Sequence, residues 1–147
     1  MGDRLKIFFV SCAVGAGIYF AVFFLIPSKN IPVAFSESRV RGAELAGQVV
    51  AHAGNTLATL EKIAAADQEG KTGEAFTLIS GALVENREAQ KAALELAGKL
   101  ENMSRSLDEI EPTNARVIAT EAVTSEVALV SHLLLYNDYL TQLFQLL

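Results

Sequence analysis

Twenty consecutive residues from Ile7 to Ile26 carry no charge, and beyond Pro32 apolar side chains recur every three or four positions. These two patterns predict different elements. At about 1.5 Å of rise per residue the first covers roughly 30 Å as a helix, the thickness of a bilayer's hydrocarbon core. A cleavable secretory signal has a shorter apolar region and a small-x-small cleavage site. Cleavage after Ala34 would put Pro32 at the −3 position, and the apolar run continues well past Cys12, against a lipoprotein signal. The segment is read as an uncleaved anchor.

Arg4 and Lys6 lie closer to this anchor than Lys29, Arg39 and Arg41 do on its other side. Positive-inside logic then predicts the N-terminus in the cytoplasm and the remaining chain outside it. Ser11 and Gly15 stand four apart, and Ala13, Gly17 and Ala21 form a second such row. Small residues at that spacing let helices approach closely in lipid, although they are also simply common in membrane helices.

The second pattern predicts three long helices, at about residues 37–66, 72–110 and 113–147, after a short linker at 31–36. Pro27 and Pro32 bracket an extended stretch, and Ser36 or Ser38 is a plausible cap. The first helix offers Ala43, Ala46, Val50, Ala53, Leu57, Leu60 and Ala64 as its inner row. The segment from Asp67 to Lys71 reads as a turn, with Thr72 capping the second helix. That helix has the cleanest stripe: Ile79, Ala82, Asn86, Ala89, Ala93, Leu96, Leu100, Met103, Leu107 and Ile110. Its outer face carries Lys91, Glu95 and Lys99, then Glu101, Arg105 and Glu109, opposite charges four apart that suit a solvated surface.

Pro112 ends the second helix, and Ile118, Ala122, Ser125, Leu129, Leu133, Tyr136, Leu140, Leu143 and Leu147 mark the third. Short connections between long helices predict antiparallel neighbours. The fold class expected is therefore all-α: one N-terminal transmembrane helix (residues 1–30), then an antiparallel up-down-up bundle of three helices.

The third helix is too apolar for that bundle. From Val127 to Leu147 it holds one formal charge, Asp138, and Val130, Leu134, Leu135, Tyr139, Phe144 and Leu146 spill beyond its stripe. A second membrane span is opposed by His132, Asn137, Asp138, Gln142 and Gln145, each costly in hydrocarbon. The excess is read as a surface for a protein partner or for another copy of the chain.

A net charge of −5 argues against a nucleic-acid partner. The single cysteine, inside the anchor, excludes a disulfide framework. Ala65 to Thr72 fits a loose phosphate-loop pattern, but a helix precedes it and Asp67 and Glu69 would repel phosphates. No nucleotide, metal or other cofactor is expected, and no catalytic constellation stands out.

Folding the helices about their turns brings His52, Asn86 and Asn137 to nearly one height. A lone core asparagine often fixes register. A small-ligand pocket is the other reading of this layer, while His52 falls off its helix's main row and a metal would want more ligands.

The order of an anchor and then long helices resembles the extracytoplasmic helical-bundle sensor regions of bacterial chemoreceptors and histidine kinases. Those proteins return through the membrane to a cytoplasmic output module, which this sequence does not show up to Leu147. The expectation is a non-enzymatic structural, scaffold or accessory subunit working through helix–helix contacts. The alternative is an extracytoplasmic ligand-sensing bundle.

Overall fold

The computed structural model describes residues 31–146. Helix α1 spans Val33–Gln68, α2 spans Thr72–Arg105 and α3 spans Thr113–Leu146, with a 3-10 turn at Leu107–Glu109. The described chain is all-α, 92% helical and without strands. The expected anchor lies outside the described residues, and with it the candidate packing face Ser11, Ala13, Gly15, Gly17 and Ala21.

Each helix boundary has a local cause. α1 starts at Val33, so most of the expected linker at 31–36 is already helical. The Pro32 carbonyl accepts the Ser36 N–H at 3.0 Å, and a proline's fixed φ and missing donor suit the first turn of a helix. Ser38, a candidate cap, is instead a buried core position.

α1 closes on Gly70, whose φ of 70° is a left-handed conformation. Its N–H donates to the Asp67 carbonyl at 3.0 Å and the Lys71 N–H to Ala66 at 2.9 Å. That bond pair caps the last carbonyls of the helix. The Lys71 carbonyl then accepts the Ala75 N–H, so Lys71 rather than Thr72 occupies the cap position of α2.

α2 ends at Arg105, five residues short of expectation. The Ser106 N–H bonds Met103 three residues back, and its hydroxyl donates to the Asn102 carbonyl. This tightens the chain into 3-10 geometry. Ile110 leaves the helix but stays buried.

The described residues form two compact units. The first combines residues 31–43 with Lys99–Ala128. Phe35, Leu100, Met103, Ile110 and Val123 fill its interior. The second combines Glu44–Gly98 with Leu129–Leu147. Ile63 from α1, Ile79 and Ala82 from α2, and Leu140 and Phe144 from α3 form its apolar cluster, with Leu60, Leu78, Leu83 and Tyr136 against it. Each large side chain buried there contributes about 1.5–3 kcal/mol relative to exposure.

The buried rows correct two of the three sequence stripes. In α2, Ile79, Ala82, Asn86, Ala89, Ala93, Leu96, Leu100 and Met103 are all buried, as expected. In α1 the buried row is Phe35, Ser38, Gly42, Leu45, Val49, Ala53, Thr56, Ile63 and Ala66; Ala53 is shared with the predicted alanine row, and most of the other predicted positions lie about one residue from it. In α3 it is Ala115, Ala119, Ala122, Val130, Asn137, Leu140 and Phe144, again one residue off at most steps. One residue is about 100° of rotation.

Candidate functional site

A single turn of α2 makes polar contacts with both other helices of the second unit. Successive residues on a helix point about 100° apart, so Glu85 and Asn86 serve different neighbours. Glu85 Oε2 lies 2.8 Å from His52 Nδ1 and accepts from Asn55 Nδ2 at 3.3 Å, both on α1. Asn86 Nδ2 donates to the Asn137 backbone carbonyl at 2.7 Å and to Thr141 Oγ at 2.9 Å, both on α3. The Thr141 hydroxyl donates to that same carbonyl at 3.0 Å. Thr141 oxygen therefore accepts from Asn86, which fixes the orientation of the carboxamide.

Of the sequence-derived layer, Asn86 meets the Asn137 backbone, while His52, in the same unit, pairs with neither asparagine. His52 sits on the inward side of α1, its side chain 31% exposed, and its partner is Glu85 rather than either asparagine. The hydrogen bond from His52, then that from Asn55, hold the Glu85 carboxyl below its usual range. Asn86 and Asn137 are both almost fully buried. Asn86 Oδ1 and Asn137 Nδ2, an acceptor and a donor, pair with no protein atom. His132 is exposed and belongs to a different face.

The candidate partner interface divides. Val130 and Phe144 are buried, each 3% exposed, and belong to the core instead of a docking surface. Their assignment followed from the one-residue error in the α3 stripe. Leu134 is half-buried. Leu135, Tyr139 and Leu146 are exposed, and Leu143, placed inward by the sequence stripe, joins them. These four recur every three or four residues and make one outward apolar row in the second unit. α3 is long and apolar enough to cross a membrane by length and composition, and 22% of its most apolar window is buried.

Four polar positions escaped the sequence reading: Asn55, Glu85 and Thr141 in the contacts above, and Glu126. Glu126 lies on the inner row of α3 in the first unit, lining a cavity of about 10 Å³ with Arg39, Met103 and Val123. Burial pushes its carboxyl above the usual range. The signal was available at the 3-4 spacing from Ala119 and Ala122, once the row is phased correctly.

At the loose phosphate-loop match, the Gly70 and Lys71 N–H groups are spent on α1 carbonyls. No group of three metal-binding side chains occurs among the described residues. No known family, curated protein or solved structure matches this chain.

Proposed function

We propose that this chain is a non-enzymatic structural, scaffold or accessory subunit, tethered to a membrane by residues 7–26. In this reading α1, α2 and α3 form an up-down-up bundle on the extracytoplasmic side. The outer row of α3 (Leu135, Tyr139, Leu143 and Leu146) holds a protein partner or a second copy. The observation that carries the reading is the exposure of these side chains on a helix whose apolar window is 22% buried. Contiguous exposed apolar rows mark interaction surfaces. Asn137, Asp138 and Thr141 on α3 favour packing over a second membrane crossing.

The native mass of the full-length chain in mild detergent tests this, with co-migrating proteins identified by mass spectrometry. A defined complex, or a homo-oligomer, is expected. A bare monomer that picks up no companion overturns the reading.

A ligand-sensing bundle is the second reading. It draws support from a groove of about 320 Å³ in the second unit, where Leu60, Ile63 and Phe76 face Asp67 and Thr72.

A further inference from the structure

In the first unit an open groove of about 500 Å³, its lining about equally polar and apolar, runs between the start of α1 and the end of α2. Arg41, Lys99 and Arg105 line it with Asn102 and Ser106, against one lining carboxylate, Glu37. Three of the chain's 12 cations meet here in a protein of net charge −5. Arg105 Nη2 also donates to Glu101 Oε1 at 2.6 Å. A guanidinium has five N–H donors, so that contact leaves capacity for a second anion. The C-terminal turn of α2 adds carbonyl dipoles that favour cations at this end, which helps concentrate Lys99 and Arg105 there. The groove's size is within the range of small-ligand sites.

Its place along the chain identifies the anion. Ala34, on the groove's rim, follows Ile26 by eight residues. Eight residues reach at most about 28 Å even when fully extended. If residues 7–26 are the anchor, the groove is tethered within that distance of the hydrocarbon boundary. A tether that short holds neighbouring headgroups at millimolar effective concentration. Each Lys or Arg near an anionic surface is worth about 1 kcal/mol.

We propose that this groove binds the phosphate of an anionic phospholipid headgroup, with Arg41, Lys99 and Arg105 as its ligands. The proposal rests on the anchor reading, so its test must fail separately from that reading.

Full-length protein is equilibrated in micelles containing equal phosphatidylglycerol and phosphatidylcholine, and the retained lipids are counted by native mass spectrometry. Wild type should retain phosphatidylglycerol preferentially. Lys99→Gln/Arg105→Gln should lower the ratio at least about tenfold, and Arg41→Gln should lower it in the same direction. Arg87→Gln/Lys91→Gln, which removes two exposed cations outside the groove, should leave it unchanged. Circular dichroism confirms that each variant keeps its helices. Equal loss in the control pair, or full retention in the groove variants, overturns the proposal. Displacement by millimolar inorganic phosphate as complete as that by the lipid overturns the headgroup as the source. Carbonate extraction of the membrane-bound chain is run alongside, and release into the supernatant overturns the anchor.

Discussion

Asn86 Nδ2 on α2 donates to the backbone carbonyl of Asn137 on α3 at 2.7 Å, across a buried contact. The carbonyl also takes the Thr141 hydroxyl, so the amide joins an existing polar turn and does not open a new one. Asn86→Ala is expected to cost about 1–3 kcal/mol, from the lost bonds and the space left in the core. Asn86→Leu should cost less, because it also removes the buried, unpaired Oδ1. The leucine variant should nevertheless lose register specificity, seen as broader unfolding transitions and slower convergence to one species. Denaturant titrations of both variants in detergent check this. Equal destabilisation by Ala and Leu would show that the hydrogen bonds, and not the filled space, govern the site.

Leu140 and Tyr139 are adjacent in sequence and opposite in environment, 7% and 59% exposed. Leu140→Asp places an unpaired charge in the second unit's cluster and should unfold that unit, at a cost of several kcal/mol. Tyr139→Asp and Leu135→Asp should change stability by less than about 1 kcal/mol while reducing the native mass. Helicity and mass, measured on the same samples, separate the two effects. A Tyr139→Asp chain that folds and keeps its full assembly size would exclude the outer row as an interface.

Two carboxylates should respond to pH in opposite senses. Glu85 is held below the usual carboxylate value of 4.5 by His52 and Asn55. Its contribution is present above that value and is lost as pH falls through the lowered folded one. The contribution is small, since both partners are about one-third exposed. Glu126 is raised by burial, so its contribution is present at low pH and is lost as pH rises through the raised value. Glu126→Gln should therefore raise the unfolding midpoint at neutral pH and flatten its pH dependence on the acidic side. Glu85→Gln should have its effect above pH 4.5 and converge with wild type in acid. Midpoints recorded from pH 3 to 8 test both signs.

Gly70 closes α1 at positive φ, where a Cβ is strained although nothing crowds it within 4 Å. Gly70→Ala is expected to cost about 1 kcal/mol through backbone conformation alone. Gly81→Ala, mid-helix in α2 and also uncrowded, should gain up to about 1 kcal/mol. The contrast in thermal midpoints separates turn strain from a general effect of adding a methyl group. Similar shifts for the two variants would contradict this account of the turn.

How far the sequence carried depended on where polar residues sit in the core rows. α2 has one, Asn86, among seven apolar stripe positions from Ile79 to Met103, and its stripe was legible throughout that stretch. α1 buries Ser38, Gly42 and Thr56 and turns His52 inward. A rule that discards polar positions therefore prefers the neighbouring alanine row. Thr56 tolerates burial because its hydroxyl donates to the His52 carbonyl one turn back, a local bond that periodicity does not register. α3 loses its phase in the same way at Glu126 and Asn137. The residues that misled the phase are largely the ones that form the polar features, so periodicity shows neither. Gly70 marked the end of α1 and Pro112 the start of α3, while the true end of α2, at Arg105, left no comparable trace.

The polar turn at Asn137 and Thr141 also bears on where α3 can reside. In a membrane-tethered chain, as proposed above, a helix this apolar meets a competing outcome: partition into the lipid. Asp138 alone costs roughly 3 kcal/mol at the centre of a bilayer, whereas in the folded unit it stays exposed and accepts from Gln142 Nε2 at 2.9 Å. There the Asn137 carbonyl and the Thr141 hydroxyl are held by Asn86. One short stretch therefore rewards docking against α2 and penalises insertion, a sorting signal written into the core of the helix.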